Sequence, residues 1–183
     1  MRGLGNLFFY KLHDDVTLPS KATSEAACFD FHAYLTPGSA LKAEDNNLYE
    51  SNVVTYSEDR SVTIGPLTRM LIPTGLIAEI PVGHSIRIYP RSGLSFKQGL
   101  ALSNQVGVVD SDYVEEIFIS LINLSNAPKK IIHNQRIAQG ELVAHQWYRV
   151  RETVEKPESS SDRVGGFGST GQYDNDYFLE VLM

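Results

Sequence analysis

The chain is 183 residues long, 42% hydrophobic and 21% charged, a balance that specifies one folded domain with a modest extension and excludes collagen-like, mucin-like and wholly disordered classes. Sixteen Lys and Arg against 22 Asp and Glu leave a formal charge of -6, which lacks the electrostatic footprint of a protein that coats DNA or RNA. A few local cations still suffice for one triphosphate. The single cysteine, Cys28, excludes an intramolecular disulfide and any Cys-based zinc site, and reads as a buried, inert thiol. No apolar run approaches a membrane span, and Met1 to Tyr10 lacks the sustained apolar segment of a signal peptide. The expectation is a soluble, cytoplasmic protein with neither nucleic acid nor membrane as partner.

Apolar residues recur mostly with period two, the signature of strands. Ala43 to Ser61 is polar and reads as an inserted loop or hairpin; strands are expected over Leu67–Pro73, Leu76–Pro81, Ser85–Tyr89, Glu116–Ile122, Lys130–His133 and Arg136–Tyr148. Pro73-Thr74-Gly75, Pro81-Val82-Gly83 and Asn126-Ala127-Pro128 punctuate them as turns. No long amphipathic helix is evident. Many short strands of this kind predict an all-β sandwich, jelly roll or distorted barrel. The expected division is a body over 1–150, with its insertion at 43–61, and an extension over 151–183. That extension holds a mobile polar linker, a glycine-rich arm at 163–171 and a mixed acidic and apolar tail.

Three clusters could carry chemistry. Gly166, Gly168 and Gly171 satisfy the dinucleotide fingerprint letter by letter, but only a short tail follows where a βαβ unit would be needed. What this cluster offers is backbone N–H groups, Ser169 and Thr170 hydroxyls, Arg163 as a cation and Phe167 as a stacking surface. Pro90-Arg91-Ser92-Gly93-Leu94-Ser95 supplies a guanidinium fork, a hydroxyl and a small residue at a strand end, a set that suits phosphate, although standing alone it reads first as a plain turn. Asn104 to Tyr113 runs through Gly107-Val108-Val109 into Asp110-Ser111-Asp112-Tyr113, a hairpin with paired carboxylates. A carboxylate fixed at a strand end can deprotonate a water; it can also simply cap a turn. None of the five histidines has a metal-pair spacing.

Taken in order, these clusters resemble the dUTPase family, the homotrimeric all-β deoxyuridine triphosphate nucleotidohydrolases. The matching motifs are Ala27-Cys28-Phe29-Asp30-Phe31, Pro90 to Leu94, Gly107 to Tyr113, Asn134-Gln135-Arg136-Ile137-Ala138-Gln139, and Gly165 to Gly171. The resemblance implies a trimer with a mobile C-terminal arm and three shared sites. In each site Asp110 would activate the water that attacks the α-phosphorus of dUTP, giving dUMP and pyrophosphate. That reaction limits uracil incorporation into DNA and supplies dUMP. It implies Tyr113 beneath the deoxyribose, with Asn104, Gly107, Val108 and Val109 around the uracil. The phosphate chain would fall to Arg91, Ser92, Gly93 and Gln139 of a neighbouring subunit. Mg²⁺ would ride on the substrate phosphates, with Asp30 touching its water shell. Arg163, Phe167, Gly168, Ser169 and Thr170 would close over the substrate.

The chain departs from the family pattern in places. Arg163 stands one residue nearer Phe167 than usual, Val114-Glu115-Glu116 replaces x-Gly-Glu after Tyr113, and Cys28 replaces a glycine. The insertion and tail resemble those of bacteriophage members and suggest a regulatory protein partner. Two alternatives are a dCTP deaminase on the same fold and a nucleotide-gated binding module.

Overall fold

A computed structural model of the chain describes residues 6–37, 40–45, 51–55 and 58–161. The chain divides into two units, Met1–Trp147 and Tyr148–Met183. In the second, the described stretch 148–161 is irregular, with Thr153 and Ser159 hydroxyls donating to the carbonyls of Glu155 and Ser161. No helix among the described residues is long and apolar enough to cross a membrane.

The first unit is built from strands β1 (Phe8–Lys11), β2 (Phe29–His32), β3 (Ala40–Asp45), β4 (Ser51–Thr55), β5 (Ser61–Ile64), β6 (Thr68–Pro73), β7 (Leu76–Glu79) and β8 (His84–Tyr89), the helix α1 (Ser92–Gln98), and strands β9 (Leu100–Leu102), β10 (Gly107–Asp110), β11 (Phe118–Asn123), β12 (Lys129–Ile132) and β13 (Arg136–Ala144). Every named pairing is antiparallel. One sheet runs β4-β3-β6-β11-β9 and a second β10-β8-β13-β2, with the ribbons β1-β7 and β12-β5 beside them. This is the all-β jelly-roll arrangement expected from the period-two pattern. The polar stretch after Ala43 contributes a strand hairpin, because β3 pairs with both β4 and β6.

Alternation along each strand decides what faces the core and what faces the site. In β2, Phe29 and Phe31 are buried, which turns Asp30 to the other face. In β10, Gly107 and Val109 point in while Val108 and Asp110 point out. In β13 the register shifts between Arg136 and Ala138. This bulge buries both Ile137 and Ala138, and it brings Arg136 and Gln139 to the same side although an odd number of residues separates them. Gln139 then lies opposite Asp30 on one flank and Tyr89 on the other. Gly140 is dictated by packing, since a Cβ there would stand 2.6 Å from the Phe29 ring and 2.8 Å from that of Phe31.

Several expectations shift at their ends. Ser92 and Gly93 open a seven-residue helix, with extended Arg91 just before it, Leu94 its buried residue and left-handed Gly99 at its end, where the sequence alone favoured a turn. The strand expected from Glu116 starts at Phe118, because the Ile117 N–H and C=O bond outside the ladder, to Leu76 and Thr74. The strand from Arg136 ends at Ala144, short of Tyr148. Cys28 is half-buried rather than buried.

Candidate active site

Those site residues expected from the sequence that are described fall into two cavities of the first unit that share no lining residue. The first, about 660 Å³, is lined by Asp30, Arg91, Ser92, Gly93 and Gln139, with Lys97, Gln135, Arg136 and Cys28 beside them. Asp30 is its centre. The carboxylate receives Arg91 Nε at 2.9 Å and Arg136 Nη1 at 3.2 Å, and its side chain is only 14% exposed. Gln139 Nε2 donates to the Pro90 carbonyl at 2.9 Å, and Arg91 Nη1 to that of Arg136 at 3.3 Å. These bonds lock β13 to the start of α1. Arg91, Lys97 and Arg136 outnumber Asp30, so the cavity carries a surplus of positive charge suited to a polyanion. Space is open around Gly93, where an added Cβ would meet nothing within 4 Å. Burial pushes the His32 imidazole down; neighbouring Asp30 opposes this, and Arg136 and Arg91 reinforce it. Burial pushes the Cys28 thiol up, assisted by Glu141, so the thiol is a poor nucleophile even though it faces the cavity.

Lys97, Arg136 and His32 are members of this region that sequence reasoning missed. Lys97 is one turn along a helix that was read as a turn. Arg136 was hidden by the bulge, because strict alternation would send it away from Gln139.

The second cavity, about 520 Å³, is lined by Asn104, Gly107, Val108, Val109, Asp110, Asp112 and Tyr113 over an apolar floor of Leu71, Ile88, Ile117 and Phe118. Its wall is the antiparallel pair β8–β10, formed across the intervening α1 and β9; β10 pairs with neither β9 nor β11, which belong to the other sheet, so the hairpin expected here is a strand followed by a turn. Gly107 permits close approach, since a Cβ would lie 3.2 Å from Ile88 Cβ and 3.4 Å from Asn104 Nδ2. The turn at the mouth is tight: Gln105 has φ +65° and Val106 N–H donates to the Asn104 carbonyl at 2.7 Å. Asp110 ends β10 on the exposed side. Tyr113 N–H returns to the Asp110 carbonyl at 3.2 Å, and the Tyr113 hydroxyl donates to the Glu116 carbonyl at 2.9 Å. One short turn therefore carries both a carboxylate and an aromatic ring to the edge of an apolar cleft. The exit of this turn, lacking glycine, is fastened by the Glu116 carboxylate, which accepts Gly75 N–H at 2.7 Å.

Among the described residues, no three His, Cys, Asp or Glu side chains converge as a metal cage. Both Asp30 oxygens are engaged by guanidiniums. That donor set fits a divalent ion carried by a phosphate chain and reached through water, as suits Mg²⁺, which keeps much of its hydration. Arg163, Phe167, Gly168, Ser169 and Thr170 lie outside the described residues.

The family model described as dUTPase matches residues 50–171, which include α1, β10 with its turn and β13. The chain belongs to the dUTPase family. The chain is 40% identical over 145 residues to the deoxyuridine 5'-triphosphate nucleotidohydrolase of Brucella melitensis biotype 2, covering 78% of this chain and 85% of that relative. It is 36% identical over 160 residues to the enzyme of the same name from the Wolbachia of Brugia malayi, covering 86% and 87%. Among solved structures it is similar in fold to the dUTPase of Staphylococcus bacteriophage 80alpha with dUPNHPP, at TM-score 0.69 and 21% identity over 92% of this chain and 99% of that one.

Proposed function

We propose that this chain is a dUTP diphosphatase in which Asp110 takes the proton of a water attacking the α-phosphorus, so that dUTP yields dUMP and pyrophosphate. The observation that carries this reading is the Asp110–Tyr113 turn at the rim of the apolar cleft beside β10. A carboxylate there meets the geometric need of a general base, next to a surface that can hold a base and sugar. Asn104 and the main chain at Gly107, Val108 and Val109 read the uracil edge, and the Tyr113 ring closes the space a 2′-hydroxyl would need. Arg91, Ser92, Gly93 and Gln139 hold the phosphate chain, and Arg136 and Lys97 add charge.

The base-side and phosphate-side residues line separate cavities of one protomer. This supports a site completed between copies, in a closed homotrimer built from head-to-tail contacts. A Mg²⁺ ion, reached by Asp30 through water and otherwise held by substrate oxygens, would supply charge neutralisation along the phosphates. The chain's own part is to align the phosphates for in-line attack and to hold the transferred proton on Asp110.

The test is pyrophosphate release from dUTP, UTP, dCTP and TTP with Mg²⁺ and after its removal by EDTA. Release from dUTP alone, lost with EDTA, is expected. Equal release from UTP, or ammonia release from dCTP, would overturn the reading.

A further inference from the structure

Glu116 stands where the chain leaves the Tyr113 turn, outside any strand ladder. Its Oε1 accepts Gly75 N–H at 2.7 Å. The adjoining peptide is gripped on both sides: the Glu116 carbonyl accepts the Tyr113 hydroxyl at 2.9 Å, and Ile117 N–H donates to the Leu76 carbonyl at 2.9 Å. Beyond it, the Ile117 carbonyl accepts the Thr74 hydroxyl at 2.7 Å and the Thr74 N–H at 3.2 Å. The anchor on the other side cannot slide. Thr74 is 2% and Leu76 0% exposed, and Gly75 has φ +69° in a space where a Cβ would lie 2.6 Å from Val16 Cγ2 and 3.1 Å from Tyr34 Cγ. The carboxylate thus reaches from the end of the Tyr113 turn to an N–H on the buried turn between β6 and β7.

The geometry points to Glu116 as a positioning residue for sugar selection: by gripping Gly75 it steadies the carbonyl that holds the Tyr113 hydroxyl, and so fixes the Tyr113 ring against the sugar. This rests on the reading of Tyr113 given above. Glu116 touches no reacting atom in this scheme and acts through Tyr113 alone. A hydrogen bond to its Oε1 is what the role requires, and an amide oxygen can accept it as well as a carboxylate can.

The experiment compares kcat and KM for dUTP and UTP in the parent, Glu116→Ala, Glu116→Gln and Tyr113→Ala. Glu116→Ala is expected to lower the dUTP-over-UTP ratio of kcat/KM by about tenfold, the upper range for the loss of one hydrogen bond. Most of the change should fall on KM, and Glu116→Gln should restore the parent ratio. Should the alanine variant fail to fold, Glu116→Asp, whose carboxylate stops one methylene short of Gly75, carries the same expectation. A parent ratio in the folded alanine or aspartate variant would overturn the proposal, as would a glutamine variant no better than alanine. If Tyr113→Ala itself leaves the ratio unchanged, the reading of Tyr113 fails instead; if only Tyr113→Ala lowers it, Tyr113 stands and Glu116 does not.

Discussion

The two cavities are held together by opposite means. Around Asp30, charge is cross-braced: one nearly buried carboxylate takes a guanidinium on each oxygen, and Gln139 ties β13 to Pro90. Around Asp110, the functional carboxylate is exposed at the end of β10, and order comes from main-chain bonds and an apolar floor. A pre-braced cluster of cations suits a ligand group that is uniformly charged, because holding it needs charge more than shape. A cleft with an apolar floor and carboxylates at its rim suits a group recognised by shape and attacked at a single atom. Polyphosphate and nucleoside make those two demands, which is why one substrate can require both regions.

Short of removing Arg91 or Asp110 themselves, the largest effect expected from disturbing this contrast is on the braced side. Asp30→Ala frees Arg91 and Arg136 from each other and should raise the KM for dUTP by about tenfold while leaving its preference over UTP intact. A changed sugar preference with an unchanged KM would mean that the braced cavity is not where phosphates bind.

A smaller effect concerns stability just beyond this cavity. The Leu35 N–H donates to His133 Nδ1 at 3.2 Å, so the ring serves as an acceptor and must stay neutral at that nitrogen. Burial and Arg60 push its pKa down, with Asp15 opposing. The folded state therefore binds this proton less readily than the unfolded chain does. The His133 contribution is intact above the ordinary imidazole value of about 6.5 and is lost as pH falls from there through the lower folded value. Thermal midpoints followed from neutral to mildly acid pH should drop less steeply in His133→Asn, whose amide oxygen can still accept the Leu35 N–H. Identical slopes would remove His133 from the account.

Much of this was legible in the sequence, and the losses have physical causes. Strand β8 follows the alternation of Ser85 to Tyr89, and Gly107-Val108-Val109 running into paired carboxylates announces β10 and its turn; the expected hairpin is not formed, because β10 pairs with β8 rather than with a chain neighbour. Helix α1 was not legible because seven residues with Leu94 alone buried leave no 3.6-residue period to detect. Arg136 was lost to a bulge, which breaks the parity on which every strand-face assignment depends. Glu116 matches the glutamate of the family's x-Gly-Glu, but its role was not legible, since its partner Gly75 lies 41 positions away and is named by no local pattern. That the expected site would fall into two separate cavities followed from no motif taken alone.

The central claim is that the braced cavity of one protomer serves the Asp110 turn of another. It is tested most directly by mixing two variants, Asp110→Asn and Arg91→Ala, unfolding and refolding them together, and measuring pyrophosphate release from dUTP. Each variant alone should be close to inactive, and the refolded mixture should recover activity, because some sites then join an intact Asp110 to an intact Arg91 from different chains. A mixture as inactive as its components, at the same oligomeric size, would contradict the claim and confine each site to a single chain.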